Sequence, residues 1–366
     1  MSKVTVESVS QAIAGYLDPY LGKTLIELNL VKAIDIDAGD VRVSIEFPYV
    51  MAGLKGAIQQ VLTSAIEDVA GVDSVRVDIR QAILPSKSPN NLPAMSKIKN
   101  IVAVASGKGG VGKSTVSVNL ALALAAEGAK VGILDADIYG PSVGMMLGVA
   151  EGVRPEVKDG KYFLPVVAHG VQSMSMAYLI TEDTPMVWRG PMVSGALQQL
   201  LTQTLWDDLD YLIIDMPPGT GDIQLTLSQK VPVTGAIIVT TPQDIALLDC
   251  KKGIEMFRKV NVPVIGVVEN MATFCCPKCG HNEPVFGAGG GEKIAAQYQS
   301  ALIGQLPLNG TIREHVDSGR PTVVSAPDSE ITLLYRDMAR KATALLSQQV
   351  VVDELAFPEI IMRSGK

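Results

Sequence analysis

The sequence predicts an α/β fold with a doubly wound, mostly parallel sheet, preceded by a small α+β domain. From residue 100 onward, continuous β-branched runs alternate with longer helical segments, which is typical of strands covered on both faces. Before that point, short alternating strands accompany amphipathic helices. We therefore expect four segments: a small domain at 1–85, a linker at 86–99, a large domain at 100–347 and a tail at 348–366.

The elements of the small domain follow from periodicity. Apolar residues at helical spacing predict a helix over residues 5–18, and VRVSIEF (41–47) alternates as a half-buried strand does. The segment LKGAIQQVLTSAIEDV predicts a second amphipathic helix, and VDSVRVDI a further alternating strand. The next segment, LPSKSPNNLPAMSK, is rich in Pro, Ser and Asn and reads as the linker.

Five apolar runs predict the buried strands of the large domain: IVAVA (101–105), KVGILDAD (130–137), YLIIDMP (211–217), GAIIVTTP (235–242) and VPVIGVVEN (262–270). Between them, STVSVNLALALAAEG and DCKKGIEMFRKV have helical periodicity. The final stretch, VVVDELAFPEIIMRSGK, is interrupted by proline, and we expect an irregular tail there.

Composition excludes several classes of function. The chain has 366 residues, is 47% hydrophobic and carries a formal charge of -7, so nucleic acid is not expected as its main partner. The N-terminus lacks the apolar core of a signal peptide, and no run reaches the length of about 18 uncharged apolar residues that a membrane helix needs. We expect a cytoplasmic protein without a membrane partner.

The segment GKGGVGKS fits the pattern G-x-x-x-x-G-K-[ST] between a predicted strand and a predicted helix, which indicates a nucleotide site. The glycines let successive backbone N–H groups point at phosphate oxygens. We expect Lys113 to contact the β- and γ-phosphates, Ser114 to bind magnesium and Thr115 to contact the α-phosphate. The expected loop consists of Gly107, Lys108, Gly109, Gly110, Val111, Gly112, Lys113, Ser114 and Thr115.

Carboxylates follow two of the predicted strands, at the sheet edge where ligands gather. Asp215 ends the strand in LIIDMPPGTGD and is suited to hold the magnesium shell. The run 217–222 has the Gly and Pro content of a switch loop that senses the γ-phosphate. Asp135 and Asp137 follow the second strand in ILDADIYGPS, and either one has the alternative role of capping a turn.

The cysteines crowd into the segment FCCPKCGH. Cys276 and Cys279 have the two-residue spacer that brings two thiolates onto one metal or cluster. Zinc and four-iron clusters each need about four ligands, and the chain offers no second pair. Two copies of the chain around a two-fold axis supply four thiolates, so we expect a homodimer.

The remaining cysteines and the histidines are less suited to bind the shared metal or cluster. We expect the Cys275 side chain to point away from the shared metal, and the lone Cys250 to be a small core residue. His281 is close enough to complete a Cys-Cys-His zinc knuckle, and this alternative remains open. His169 and His315 have no partners in sequence, so Cys–His catalysis is not indicated.

Lys108 lies directly after the first glycine of the loop, where an ordinary phosphate loop needs no lysine. The string KGGVGKST resembles the deviant Walker A motif of the MinD, ParA and nitrogenase iron protein class. In that class, such a lysine reaches the nucleotide of the partner subunit. The resemblance implies ATP binding coupled to homodimer geometry, an Asp137 in switch I that orients the attacking water, and an Asn270 that reads adenine.

The combination of this motif with DADIYGPS, WRGPM, IIDMPPGTGD and CPKCG resembles the Mrp/ApbC family of iron–sulfur cluster carrier ATPases over about residues 98–345. The resemblance implies a homodimer that bridges a cluster, of the [4Fe–4S] type, and passes it to apo-proteins, with slow ATP hydrolysis as a switch. The first 85 residues resemble the iron–sulfur assembly domain that bacterial members carry. Their segment SIEFPYVMAGLKG lacks the cysteine often found there, which favours docking, including to scaffold proteins.

Two other readings are compatible with these motifs. The first is a MinD- or ParA-like ATP-switched positioning or interaction protein with a structural zinc knuckle. The acidic charge and the lack of a membrane-targeting helix count against it. The second is a redox ATPase similar to nitrogenase iron protein, in which the cluster stays bound.

Overall fold

The computed structural model describes residues 4–86, 92, 95–179 and 190–356, with side chains except at 190, 191 and 350–356. Half of the predicted linker, Trp188 and Arg189 of the WRGPM motif, and residues 357–366 of the predicted tail lie outside the described residues. Internal contacts divide the chain into a small unit, Met1–Ser86 with Thr343–Lys366, and a large unit, Lys87–Ala342.

The small unit is a three-stranded sheet covered by helices. Its elements are α1 (Val6–Ile13), β1 (Val31–Asp37), β2 (Asp40–Phe47), a 3-10 turn (Ala52–Leu54), α2 (Lys55–Glu67) and β3 (Ser74–Gln81). The strand order is β1-β2-β3, with an antiparallel first pair and a parallel second pair. The buried faces of both helices and of β2 form one apolar core, as their periodicity predicts.

Helix α1 is shorter than the predicted 5–18 because a side chain reorganises the backbone beyond it. The buried carboxylate of Asp18 accepts hydrogen bonds from the backbone N–H groups of Tyr20 (3.0 Å) and Leu21 (2.9 Å) and from the hydroxyl of Tyr49. Such an Asx turn competes with helical hydrogen bonding, so the helix ends before it.

The large unit contains an eight-stranded sheet of order β15-β12-β11-β4-β10-β5-β9-β8, parallel except for the β8–β9 pair. The strands of this sheet are β4 (Ile98–Ala105), β5 (Val131–Asp135), β8 (Val166–Ala168), β9 (Val171–Ser175), β10 (Leu209–Asp215), β11 (Gly235–Thr240), β12 (Val264–Glu269) and β15 (Ala301–Gln305). Two further pairs of short strands form separate two-stranded sheets: β6 (Val157–Lys158) with β7 (Tyr162–Phe163), and β13 (Phe274–Cys275) with β14 (Asn282–Glu283). The predicted doubly wound, mostly parallel α/β fold is confirmed.

Helices lie in the connections between successive parallel strands of the eight-stranded sheet and after the last of them. They are α3 (Lys113–Ala126), α4 (Val143–Met146), α5 (Gly190–Gln203), α6 (Asp222–Lys230), α7 (Asp244–Lys259), α8 (Gly290–Gln297), α9 (Gly310–Asp317), α10 (Thr322–Ser325) and α11 (Glu330–Ala356). Helix α3 is buried on nearly all sides, which explains its apolar composition without an amphipathic stripe. After β4 the chain adds strands on one side of it (β5, β9, β10) and then on the other (β11, β12, β15). Such a change of direction leaves a crevice at the carboxyl ends of the strands, and the predicted site residues lie at these ends.

The C-terminal helix differs from the prediction. Helix α11 continues to Ala356, so residues 348–356 are helical where an irregular tail was expected. The valine run there has weak intrinsic helix propensity, but extending an existing helix adds a hydrogen bond per residue without a new nucleation cost. Among the described residues, no helix is long and apolar enough to cross a membrane.

Candidate functional site

The phosphate loop connects β4 to α3 and ends in an uncapped helix N-terminus. Gly110 and Gly112 have φ values of 82° and 81°, in the left-handed region that favours glycine. A Cβ atom at Gly112 would collide with the Asn270 side chain, and one at Gly107 with the backbone of Asp249. No side chain caps α3 at Gly112, so its first N–H groups remain available to an anion.

Behind the loop, the carboxylate of Asp215 collects three donors. Its Oδ1 accepts from Lys113 Nζ at 2.7 Å and from Ser117 Oγ at 2.6 Å, and its Oδ2 accepts from Ser114 Oγ at 2.6 Å. Asp215 is fully buried and Lys113 is 6% exposed, so this ion pair is shielded from water. The Asp215 carboxylate and the Ser114 hydroxyl are hard oxygen ligands, and such a donor set fits magnesium.

The two lysines of the loop differ in their surroundings. Lys113 is paired with Asp215, whereas Lys108 is only half-buried. Within the described part of the chain, no carboxylate lies within ion-pair distance of the Lys108 ammonium group. Its backbone carbonyl accepts a hydrogen bond from the Ser106 hydroxyl at 2.9 Å, which shapes the loop while leaving the side chain uncommitted.

Asp135 organises the loop that follows β5. Its Oδ1 accepts from the N–H of Asp137 (3.1 Å), and its Oδ2 from the N–H groups of Ser142 (3.0 Å) and Val143 (3.1 Å). Burial and the nearby charge of Asp215 raise the pKa of Asp135 to about 7. The alternative noted for this residue, a turn-capping role, is therefore the one that its contacts support.

This raised pKa predicts a pH dependence of stability. The protonated carboxyl is favoured in the folded state, so its contribution is present below the unfolded pKa near 3.8 and lost as pH rises through about 7. We expect the free energy of unfolding of the nucleotide-free protein to fall between about pH 4 and 7 and to level off above that range, and Asp135→Asn to flatten that slope. Denaturant unfolding at each pH measures it. The exposed Asp208→Asn serves as the control, and equal slopes in both variants would contradict the assignment.

Asp137 lies two residues further on and is half-buried. Desolvation raises its pKa, the nearby positive charge of Lys113 lowers it, and the charge of Asp215 raises it. The carboxyl of Asp137 is therefore close enough to Lys113 and Asp215 to interact with their charges.

Asn270 directly follows β12 and contacts the phosphate loop. Its Nδ2 donates to the Val111 carbonyl of the phosphate loop at 2.8 Å, and its side chain is buried. The preceding residue, Glu269, was not singled out from the sequence although it is a buried acid in an apolar strand. Its carboxylate accepts from the Gly291 N–H (2.8 Å) and the Gln305 amide (2.7 Å), which ties β12 to α8 and β15.

Cys276 and Cys279 lie in the turn between β13 and β14. The turn is closed by hydrogen bonds from Cys276 N–H to the His281 carbonyl and from Gly280 N–H to the Cys276 carbonyl, both 2.9 Å. The N–H groups of Lys278 and Cys279 point at the Cys276 sulfur and lower its pKa, with a smaller effect from the Cys279 thiol. The loop thus favours a thiolate at a solvent-accessible position.

The other cysteines are placed differently. Cys275 lines a cavity of about 560 Å³ beside Glu269 and Gln305, and neither Cys276 nor Cys279 lines it. Cys250 is buried in α7, where burial raises the pKa of its thiol to about 12. It is a core residue, as predicted.

The described residues contain no group of three or more His, Cys, Asp or Glu side chains close enough to hold a metal ion. His281, although next to the cysteine pair in sequence, is not grouped with it in this structure, and the zinc knuckle stays an untested alternative. His169 contacts the Gly319 carbonyl and His315 the Thr322 hydroxyl, both away from the cysteines.

Comparison with known proteins shows the family to which the chain belongs. Residues 97–343 match the family described as NUBPL iron-transfer P-loop NTPase, and residues 7–79 match the family described as iron–sulfur cluster assembly protein. An iron–sulfur cluster carrier protein of Pseudomonas fragi is 64% identical over 76% of this chain and 97% of its own length. The carrier protein of Escherichia coli K12 is 50% identical over 95% of both chains.

Solved structures show the same fold. A nucleotide-binding protein of Archaeoglobus fulgidus, in complex with ADP, is 38% identical with a TM-score of 0.57, over 65% of this chain and 93% of its own. The cell division ATPase MinD of Pyrococcus furiosus is 24% identical with a TM-score of 0.50, over 66% and 97%, which supports the fold alone. The chain therefore belongs to the NUBPL iron-transfer P-loop NTPase family, which confirms the resemblance to iron–sulfur cluster carrier ATPases.

Proposed function

We propose that the protein is an ATP-binding and ATP-hydrolysing homodimer that carries a bridging iron–sulfur cluster and transfers it to apo-proteins. The observation that carries this proposal is the Cys276–Cys279 pair, of which Cys279 is exposed and Cys276 partly exposed, and with which no third candidate ligand is grouped among the described residues. An exposed half-site is a natural meeting point for two subunits, because two such pairs supply the four thiolates of a [4Fe–4S] cluster. The names of the relatives, iron–sulfur cluster carrier proteins, support the same cargo.

In the nucleotide site, the uncapped N-terminus of α3 and the loop N–H groups bind the phosphates. Lys113, which pairs with Asp215 in the nucleotide-free protein, contacts the β- and γ-phosphates, and Asp215 and Ser114 are the residues that would hold magnesium. When bound, magnesium neutralises phosphate charge. Asp137 orients the attacking water, Thr115 contacts the α-phosphate and Asn270 exchanges its bond to Val111 for the adenine.

Lys108 is proposed to act across the dimer interface. Its side chain has no ion pair within the described chain, unlike Lys113. The nucleotide of the partner subunit gives this ammonium group a negatively charged contact, and the same contact makes dimer geometry depend on nucleotide state.

A short path of backbone and hydrogen bonds connects the phosphate loop to the cysteine hairpin. Asn270 holds the phosphate loop at Val111, and two residues later the N–H of Ala272 donates to the Leu306 carbonyl at 2.9 Å. Leu308 N–H then donates to the Thr273 carbonyl at 2.8 Å, directly before the cysteine hairpin. A movement of Asn270 on nucleotide binding therefore reaches the hairpin through hydrogen-bonded backbone, and the interface that holds the cluster shifts with it.

The partners follow from this cycle: scaffold proteins supply the cluster and apo iron–sulfur proteins receive it in the cytoplasm. The small unit, whose described residues contain no cysteine, is proposed to dock these partners rather than to carry thiols. Neither nucleic acid nor a membrane has a part in the proposed cycle.

The test is cluster transfer to an apo-protein whose activity requires a [4Fe–4S] cluster. We expect the reconstituted dimer to restore that activity in the presence of a chelator of free iron, at a rate that changes with ATP. Light scattering during transfer reports the dimer. Restoration that the chelator blocks completely would mean release of free iron, and would contradict a carrier function.

A further inference from the structure

Ser117 contacts the carboxylate of Asp215 but belongs to no part of the phosphate-loop motif. It lies one helical turn after Lys113 in α3, and its side chain is fully buried. Its hydroxyl is 2.6 Å from Asp215 Oδ1, the same oxygen that accepts from Lys113 Nζ. The motif pattern stops at Ser114, so the sequence gives no signal for this contact.

The Ser117 hydroxyl has a choice between two acceptors. Besides Asp215, it lies 3.0 Å from the Lys113 carbonyl, the usual partner of a serine within a helix. A hydroxyl has a single proton and donates to one acceptor at a time. The contact with the carboxylate is the shorter one, as expected for a charge-assisted hydrogen bond.

Nucleotide binding changes the neighbours of Asp215 unequally. In the proposed nucleotide site, Lys113 turns to the phosphates and Ser114 to magnesium, so two of the three donors leave the carboxylate. Ser117 is buried behind the loop and stays. A fully buried carboxylate oxygen without a donor is costly, since nothing replaces the water it gave up on folding.

We propose that Ser117 is a positioning residue of the magnesium site: its hydroxyl keeps Asp215 Oδ1 hydrogen-bonded and the carboxylate oriented once Lys113 has turned to the nucleotide. This inference rests on the proposed nucleotide function. In the nucleotide-free protein Lys113 still serves Oδ1, so the loss of Ser117 is tolerated there. In the magnesium–nucleotide complex Ser117 is the donor that remains.

Ser117→Ala tests the inference through the dissociation constant of a fluorescent ATP analogue, measured once with excess magnesium and once with EDTA. The ratio of the two constants reports how strongly magnesium strengthens binding. We expect Ser117→Ala to lower this ratio by about tenfold, since the variant removes the hydrogen bond that orients the carboxylate, and that orientation serves an ion only when magnesium is present. Lys113 turns to the phosphates in EDTA as well, so the constant in EDTA is expected to weaken too, but by less than the constant in magnesium.

Ser228→Ala is the matched control. Ser228 is also fully buried in a helix, and its hydroxyl donates to the Gln224 carbonyl at 2.8 Å, four residues back. We expect this variant to keep the wild-type ratio. Thermal unfolding without nucleotide verifies that both variants are folded.

Two results would overturn the inference: an unchanged ratio in Ser117→Ala, or an equal fall in Ser228→Ala, which would indicate a general packing effect. A wild-type protein that binds no analogue in either condition would instead overturn the proposed nucleotide function itself. The wild-type measurement therefore separates the failure of the function from the failure of the inference.

Discussion

Cys276→Ser and Cys279→Ser are each expected to abolish the reconstituted iron–sulfur cluster, whereas Cys275→Ser is expected to retain it. Each of the first two changes removes two of the four thiolates of a dimer, because both subunits carry the variant. Serine preserves the size of the side chain, so the turn closed by the Cys276 and Gly280 N–H groups remains. Iron and acid-labile sulfide, measured after anaerobic reconstitution, report the loss.

Cys275→Ser is a close control for this experiment. Cys275 is an exposed residue in the same hairpin, adjacent to Cys276 in sequence. Its replacement by serine removes the same number of sulfur atoms as either of the other two changes. Its side chain lines the cavity beside Glu269, and its thiol reaches the turn only through a contact with the Gly280 carbonyl at 3.8 Å. Loss of the cluster in all three variants would show that Cys275 is also a ligand and would contradict the two-thiolate half-site.

Lys113→Ala and Lys108→Ala are each expected to reduce ATP hydrolysis by at least about a hundredfold, since each removes a positive charge from the transferring phosphate. Their effects on the nucleotide-free protein differ. Lys113→Ala takes the charged partner from the buried Asp215 and is expected to destabilise the large unit by about 3 kcal/mol. Lys108→Ala removes a half-buried side chain outside any ion pair in the described chain, and is expected to be nearly neutral for stability.

Mixing the two variants decides whether Lys108 acts on its own subunit or on the partner. In a mixed dimer, the Lys108→Ala subunit keeps its own Lys113 and receives Lys108 from the partner, which restores one site. Random pairing of equal amounts yields half mixed dimers, so about a quarter of the wild-type ATPase activity is expected. If Lys108 acted within its own subunit, no site in any dimer would be complete and the mixture would remain inactive.

Much of this site was predictable because its residues belong to local sequence patterns. The loop Gly107–Thr115 follows a buried strand and begins a helix, and such a loop places N–H groups at a sheet edge whatever the rest of the fold. Asp215 ends a β-branched run, so its position at the same edge follows from the parallel sheet. The two-residue spacer of Cys276 and Cys279 likewise predicts a shared metal or cluster.

The unpredicted features depend on contacts between distant segments. Ser117 reads as an ordinary helical serine, and its bond to Asp215 spans 98 residues of sequence. Glu269 accepts its hydrogen bonds from Gly291 and Gln305 only when α8 and β15 pack beside β12 in the folded chain. Strands β6 to β9 have two to five residues each, too few for a periodic pattern, and were missed for that reason.

The central claim is that a dimer of this chain bridges an iron–sulfur cluster through Cys276 and Cys279. Its most direct test is the content of iron, acid-labile sulfide and zinc per dimer after anaerobic purification and reconstitution of the wild-type protein. We expect about four iron and four sulfide per dimer. Zinc without sulfide, surviving reconstitution, would contradict the carrier function and indicate an ATP-switched interaction protein with a structural zinc site.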